Sequence, residues 1–318
     1  MLDPTATTVI LNPAAAGGRV GRDLSALRRK IRDRLGPVDI QETRHPGHAT
    51  ELAEAAVRSG RTELLSLGGD GTHNEVVCGI MAADPAPATV TLGILPAGTG
   101  GDFRRNLAHA ADLDQALTHV VTADALPIDL GHCHFVTDDG RDASRYFVNM
   151  ASCGVSGLVC RIANRSSKRL GGRATFFLAS LRGMWSWKGC PVRVTVDDRV
   201  VADDLSITTL VGANGRWAGG GMMFAPDARL GDGLLDFMAM EDRGLAGALA
   251  ISGPLYKGRH VGRPDVHTWR GRQALVEPLD PSRHAWVEID GEAPGRAPVR
   301  FEVVPAAIRL RDLRPELA

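Results

Sequence analysis

Leu67-Gly68-Gly69-Asp70-Gly71-Thr72-His73-Asn74-Glu75 is the stretch on which the reading of this chain turns. The apolar run 63–67 before it reads as a strand, and Asn74 to Met81 after it reads as a helix. The glycines therefore occupy a strand-to-helix turn. Glycine lets a backbone approach an anion closely, and the helix that follows offers unpaired N–H groups and a positive dipole end. Two further turns have the same character. Asn12-Pro13-Ala14-Ala15-Ala16-Gly17-Gly18 follows the apolar run 7–11, and Pro96-Ala97-Gly98-Thr99-Gly100-Gly101-Asp102 follows the run 88–95. In a parallel sheet all three fall on the carboxyl edge of the strands, where open α/β folds bind ligands. Thr72 and Thr99 add hydroxyl donors, a combination that suits a nucleotide polyphosphate. Asp70 beside phosphates calls for Mg²⁺ in between, or for a sugar hydroxyl as its partner. The chain has no G-x-x-x-x-G-K-[ST] element, and Asn74 stands where a dinucleotide fingerprint would carry its third glycine.

Around these turns the first third alternates. Strands are expected at 7–11, 38–43, 63–67 and 88–95, with helices at 24–35, 50–58, 74–81, 103–107 and 113–121. Alternation of this kind gives a parallel sheet with helices on its faces. From Pro127 the segments become short and β-like, at 127–130, 145–151, 192–196, 206–212, 234–240, 274–277, 285–289 and 299–304, with one helical insertion from Ala174 to Trp187. That pattern predicts a β-rich, sandwich-like second domain.

The whole chain has 318 residues, enough for two domains. Apolar residues make up 44% and charged residues 23%, ordinary for a globular protein and unlike a disordered one. Lys+Arg and Asp+Glu are both 37, so the basic excess of a nucleic-acid binder is missing and no nucleic-acid partner is expected. The first residues carry no secretory pattern, and no run of ~18 apolar residues occurs to span a membrane. Five scattered cysteines without a C-x-x-C pair read as reduced cytoplasmic thiols.

With these residues in view, the chain resembles the diacylglycerol kinase catalytic-domain family, whose relatives include bacterial lipid kinases, ceramide kinases and sphingosine kinases. The resemblance rests on Gly68-Gly69-Asp70-Gly71-Thr72, on Asn12-Pro13 upstream and on Leu95-Pro96-Ala97-Gly98-Thr99-Gly100 downstream. It continues through Ala213-Asn214-Gly215, Gly219-Gly220-Gly221-Met222, Ala225-Pro226-Asp227-Ala228, Asp232-Gly233-Leu234-Leu235-Asp236, Asp290-Gly291-Glu292 and Val304-Pro305-Ala306-Ala307. A lone GGDGT is shared with NAD kinases and phosphofructokinases; the blocks in this order are far more specific.

The resemblance implies an α/β N-terminal nucleotide-binding domain, three-layered and NAD kinase/diacylglycerol kinase-like, followed by a C-terminal β-sandwich domain. Residues 1–126 would form the ATP-binding domain, with the tail 306–318 packing back on it, and 127–305 the lipid-substrate domain. It implies ATP, Mg²⁺ and phosphoryl transfer to a lipid hydroxyl, of diacylglycerol or of a ceramide or sphingoid type. Carried over by position, ATP contacts fall on Asn12, Thr43, Gly68, Gly69, Asp70, Gly71, Thr72, His73, Asn74 and Thr99. Glu292 would be the proton acceptor, with Asp290 assisting or holding Mg²⁺. A separate metal site would use Asp232 and the carbonyls of Arg229 and Leu234. One departure stands out: Gly101-Asp102-Phe103 replaces the family's Asn-Asp-Phe.

Read as an extended segment, Asp290 and Glu292 are two apart and face one side, able to share a proton or an ion. The stretch Phe176 to Lys188, with Trp185 and Trp187 beside Arg182 and Lys188, suits either a lipid interface or a helix packed on the sandwich. A cytoplasmic enzyme touching the membrane peripherally is the expectation, with a homodimer left open. The basic stretch 165–173 reads equally as a head-group contact or a solvated loop. His132-Cys133-His134 resembles a metal cluster only superficially, since the residues alternate on an expected strand and no second pair of ligands is visible. Two competing functions remain: an NAD kinase-like phosphotransferase acting on a soluble nucleotide, and a non-catalytic nucleotide- or lipid-binding module.

Overall fold

The computed structural model describes residues 2–83, 87–97, 101–109, 112–165 and 172–318. Thr99 and its neighbours Gly98 and Gly100, and most of the basic stretch 165–173, lie outside the described residues. The chain divides into two compact units. The first holds Met1–Leu130, Arg229–Asp232 and Pro305–Ala318; the second holds Gly131–Ala228 and Gly233–Val304. The first crossing falls after Leu130 rather than at 126/127, and a short excursion, 229–232, returns to the first unit. Sequence alone concealed that return, because Leu230 is fixed by backbone: its N–H donates to the Leu317 carbonyl at 2.8 Å.

The first unit runs β1 (Thr7–Leu11), α1 (Ala15–Gly18), α2 (Leu24–Leu35), β2 (Asp39–Glu42), α3 (His48–Arg58), β3 (Glu63–Gly68), α4 (Asp70–Ala82), β4 (Thr91–Pro96) and α5 (Leu113–His119). Every residue of β1 and of β4 is buried, as expected of strands covered on both faces. Asp23 and Asp112 cap α2 and α5 by accepting the N–H of Ala26 and Gln115, each at 2.9 Å. All pairings are parallel, and the order is β2-β1-β3-β4, with Arg309 and Leu310 of the last strand beside Thr91 and Leu92 of β4. The path moves outward from β1 to β2 and back past it to β3. Right-handed crossovers then put α2 on one face and α3 and α4 on the other. The observed packing agrees, with α3 against α4 and α2 against α5. The reversal leaves a crevice at the carboxyl ends of β1 and β3.

Two helices begin earlier than their periodicity suggests. α3 starts at His48 and α4 at Asp70, so Gly71, Thr72 and His73 lie inside the first turn of a helix and not in a loop before it.

The second unit contains β5 (Ala125–Thr137, from Gly131 onward), β6 (Asp142–Phe147), β7 (Met150–Gly154), α6 (Val155–Arg165), α7 (Gly172–Ser186), β8 (Cys190–Val196), β9 (Arg199–Ala213), β10 (Trp217–Ala218), β11 (Met222–Met223), β12 (Leu235–Glu241), α8 (Gly244–Tyr256), β13 (Val266–Gly271), β14 (Gln273–Pro278), β15 (Trp286–Ile289) and most of β16 (Glu292–Arg311). β5 with β6, β7 with β9 and β15, β8 with β9 and β14, β12 with β9 and β13, and β16 with β14 and β15 all pair antiparallel. The expected strand 145–151 is two strands, broken at Val148 and Asn149. β9 pairs β8 through its first half, and β7 and β12 through its second; β16 pairs β15 first and β14 later. Long strands that change partners fold two layers over one core. Phe147, Phe237 and Phe301 lie at its centre, fully buried with Cys133, Cys153 and Cys190. None of the five cysteines, all of them described, is in a disulfide. Burial pushes the Cys153 thiol well up and the Cys190 thiol to about 11. Among the described residues no helix is long and apolar enough to cross a membrane.

Candidate active site

The first turn of α4 gathers the loops of the first unit. Asn12, just past β1, donates its Nδ2–H to Thr72 Oγ1 at 2.9 Å and accepts the Ala14 N–H at 2.9 Å. The Asp70 carboxylate accepts the N–H groups of Asp102 (2.8 Å) and Phe103 (3.2 Å), which holds the loop after β4. One turn on, the Glu75 carboxylate accepts the N–H groups of Gly47 (3.0 Å) and Ala49 (3.1 Å), which fixes the start of α3 and the loop 43–47. Thr43 closes that loop onto β1, its N–H donating to the Leu11 carbonyl at 2.9 Å. The three polar side chains of one helical turn and a half thus tie three separate loops together.

The glycines between them fall into two kinds. A Cβ on Gly68 would stand 2.5 Å from Thr72, so that position must be bare for β3 to meet α4. Among the described residues, a Cβ on Gly69 or Gly71 would meet nothing within 4 Å, so neither is covered by them at the helix start. An anion placed there meets backbone N–H and the positive end of α4.

Several sequence assignments change meaning here. Asp70 is half-buried, and the loss of water around its carboxyl raises it above the usual range, against the pull of its two N–H partners and of Arg104 and Arg105. Both oxygens are engaged by backbone, so it holds the third loop; the sequence reading had offered it to Mg²⁺ or a sugar. His73 is 2% exposed, with its Nδ1 at 2.8 Å from Ser66 Oγ, and burial lowers it to about 3. Its ring is a neutral core group and does not present itself to a ligand. Thr72 and Asn74 are buried beside it. At Gly101, the position of the departure, a Cβ would come 3.0 Å from Asp70 Oδ1, so a larger residue there asks the carboxylate to give way slightly. Glu75 was not assigned from sequence, although an acid on the otherwise apolar face of a helix after a glycine turn was a usable signal.

In the second unit Asp290 and Glu292 do not point to one side. Asp290 and Gly291 form the two-residue turn between β15 and β16, with φ of +42° and +94°. Both positive values mark a type I′ hairpin, for which Asp-Gly is well suited. The turn breaks the alternation on which the extended reading relied. The Asp290 carboxylate accepts the N–H groups of Val148 and Met150, each at 3.1 Å, and so secures the gap between β6 and β7. Glu292 is exposed and paired with Arg145. Behind the turn lies Glu288, whose carboxylate accepts from Ser152 Oγ (2.7 Å) and the Gly291 N–H (2.6 Å). Burial raises its carboxyl, and those two donors oppose the rise. Sequence gave no sign of it beyond its place in an alternating strand.

Of the residues carried over for a metal, Arg229 and Asp232 lie exposed on the 229–232 segment, and Leu234 follows in the second unit.

The model of the diacylglycerol kinase catalytic domain matches residues 6–133, and that of the YegS C-terminal NAD kinase beta sandwich-like domain matches residues 149–312. A diacylglycerol kinase of Staphylococcus saprophyticus is 27% identical over 293 residues, 92% of this chain and 90% of the relative. A protein of Serratia proteamaculans named "Probable lipid kinase YegS-like" is 29% identical over 311 residues, 98% of this chain and 95% of its own. The crystal structure of a diacylglycerol kinase from Bacillus anthracis str. Sterne superposes with a TM-score of 0.69 at 19% identity, covering 98% of each chain. Yeast NADH kinase complexed with NADH shares the fold more loosely, with a TM-score of 0.51 at 13% identity over 99% of this chain and 85% of that one.

Proposed function

This chain belongs to the diacylglycerol kinase catalytic-domain family and is a kinase of the lipid kinase type, and from that premise we propose that it transfers the γ-phosphoryl group of ATP to the hydroxyl of a lipid, in a Mg²⁺-dependent reaction. The acceptor is a diacylglycerol or a ceramide or sphingoid alcohol. The observation that carries the nucleotide half of this reading is the start of α4, where Gly69 and Gly71 stand uncovered by the described residues amid three tethered loops. Phosphoryl transfer asks mainly for positioning and charge neutralisation. Tethered loops and a helix N-terminus supply both for a triphosphate.

In this reading Glu292 takes the proton of the acceptor hydroxyl. The hydroxyl oxygen forms its bond to the γ-phosphorus, the bond to the β-phosphate oxygen breaks, and ADP leaves. Glu292 suits the role because it is exposed and engaged in a surface ion pair with Arg145, worth about 0–1 kcal/mol and displaced at little cost. Asp290, with its oxygens on two N–H groups, is assigned to hold the turn that presents Glu292. Asp232 is an exposed carboxylate, and oxygen donors of this kind suit Mg²⁺. Bound there with the Arg229 and Leu234 carbonyls, the ion would supply positive charge.

The test is a panel of dispersed diacylglycerol, ceramide, sphingoid base and NAD with labelled ATP, with and without a chelator. Transfer to a lipid alcohol that stops on chelation supports the reading; transfer to NAD alone replaces it with a soluble-nucleotide kinase. Glu292→Gln is expected to lower kcat by ~10²–10⁴ and leave ATP affinity nearly unchanged. Full activity in that variant removes Glu292 from the mechanism.

We further propose a peripheral membrane contact through α7 and α8, which pack on one another. Trp185 is 84% and Leu249 64% exposed, beside exposed Leu178, Leu181 and Leu245. Exposed Arg182 and Lys188 flank that surface and would favour anionic lipid.

A further inference from the structure

The geometry points to a transition-metal site of two histidines and one glutamate on the second unit: His132 and His134 of β5 and Glu302 of β16 bind one divalent ion, with Zn²⁺ as the first choice. In sequence the two histidines lacked any further ligand. The fold supplies it from 168 residues away: His134 Nε2 lies 3.2 Å from Glu302 Oε2. Strand β5 pairs with β16, which brings the carboxylate to the histidine face. One ligand atom from each of the three residues lies within 4.8 Å of the others. Around a tetrahedral zinc, bonds of ~2.0–2.1 Å put ligand atoms roughly 3.3 Å apart. Rotations of about an ångström at the side-chain ends close that difference.

Several features favour the assignment over a chance meeting of side chains. The i, i+2 spacing on a strand puts both rings on one face, and their centroids are 4.2 Å apart. Cys133 between them points the other way, fully buried in the core, so the strand separates ligand face from core face cleanly. The His132 ring stacks on Tyr146, its partner across the β5–β6 hairpin, at 4.2 Å and 13°, which fixes its plane. All three ligand residues are half-buried, leaving the ion a path from solvent. Beside them His134 and Arg300 help to line an open hollow of about 470 Å³, with Asp142 and Ser144 on its wall. Imidazole donors select zinc, nickel, cobalt or copper over Mg²⁺, which takes oxygen. The site is therefore separate in chemistry from the Mg²⁺ of phosphoryl transfer.

One neighbour opposes the ion. Arg300 Nη1 lies 3.1 Å from the other oxygen of Glu302 and competes for the carboxylate. This gives the proposal a signature that a merely structural hydrogen bond would not produce. An ion held by β5 and β16 would also staple these two strands.

The experiment titrates untagged full-length protein, stripped with a chelator, with zinc chloride by calorimetry, and with cobalt(II) by visible absorption. One zinc per chain is expected, with cobalt bands of a tetrahedral N/O site and a raised melting temperature. His134→Ala and Glu302→Gln should weaken zinc by on the order of 100-fold or more, with unchanged circular dichroism in the absence of metal. Arg300→Gln should tighten it. The group of exposed His45 and Glu51 with half-buried His48 serves as the control, so His48→Ala should leave zinc binding as it is. Failure to take up stoichiometric zinc, uptake indifferent to His134 and Glu302, or loss of uptake in His48→Ala overturns the assignment.

Discussion

The half-buried Asp70 and the buried His73 show how single residues of the Gly-rich turn differ from their first reading. Asp70→Asn leaves one oxygen for two N–H donors and turns an amide N–H₂ toward the other. A loss of about 1–3 kcal/mol is expected, with a raised KM for ATP as the loop after β4 loosens. Thermal melting and ATP titration check this; unchanged stability with only an altered Mg²⁺ dependence would return Asp70 to a metal role. His73 gives a pH dependence. Its folded value is about 3 against an ordinary 6.5, so below pH 6.5 the unfolded chain binds a proton that the native chain refuses. Stability therefore falls with falling pH, from this group by up to about 1.4 kcal/mol per pH unit between 6.5 and 3. Denaturant midpoints across that range should show a shallower acid limb in His73→Gln, which keeps a partner for Ser66. Glu288 and Asp70 act in the opposite sense. Raised in the fold, they weaken it as pH climbs from the ordinary carboxyl value through their raised ones.

At the scale of elements, α7 resolves the two uses offered for its tryptophans by dividing them. Trp187, just past its end, donates its Nε1–H to the Ile207 carbonyl at 3.1 Å, while Trp185 faces solvent. Trp185→Ala combined with Leu249→Ser is expected to weaken binding to anionic vesicles about tenfold or more, in proportion to the apolar area removed. Turnover on a detergent-dispersed acceptor should stay unchanged. Sedimentation with vesicles reads the first and a kinase assay the second. Elements were legible where burial writes a simple pattern. β1, β3 and β4 are short apolar runs, and α2 announces its start with Asp23. α8 was not, because Gly244, Gly247, Gly253 and Pro254 lower helix propensity over a segment that packing nonetheless makes helical. α6 did carry a signal at Val155, Val159 and Ile162, masked by the short β-like segments around it. The early start of α4 was hidden by glycines that look like a loop until the Asp70 and Glu75 contacts are seen.

For the whole molecule, the far-apart pairings decide the outcome. Arg311 donates two charge-assisted bonds to Glu63, at 3.0 and 2.7 Å, and a third to the Ala123 carbonyl at 2.8 Å, from 248 residues down the chain from Glu63. Arg311 is buried, and the Glu63 side chain is only 14% exposed. Arg311→Met strands the Glu63 carboxylate and should cost about 3–5 kcal/mol, read as a lower melting temperature accompanied by weaker ATP binding. The family and the two-part order were legible because glycines, Asn12 and the Asp-Gly-Glu turn are local signals. Glu302 beside His134, Arg145 beside Glu292 and the return of 229–232 were not, since no local pattern encodes which distant strand lies alongside.

The edge of the first sheet beside β4 is laid down by Arg309 and Leu310, which follow the whole second unit in the chain. A ribosome therefore emits the first four strands early and the fifth only after the intervening unit has been made. Throughout that interval β4 offers a bare, ladder-ready flank to any passing strand. Nascent chains stalled before 305 should accordingly depend on holding chaperones, and competence for nucleotide should emerge late in synthesis, as a single step.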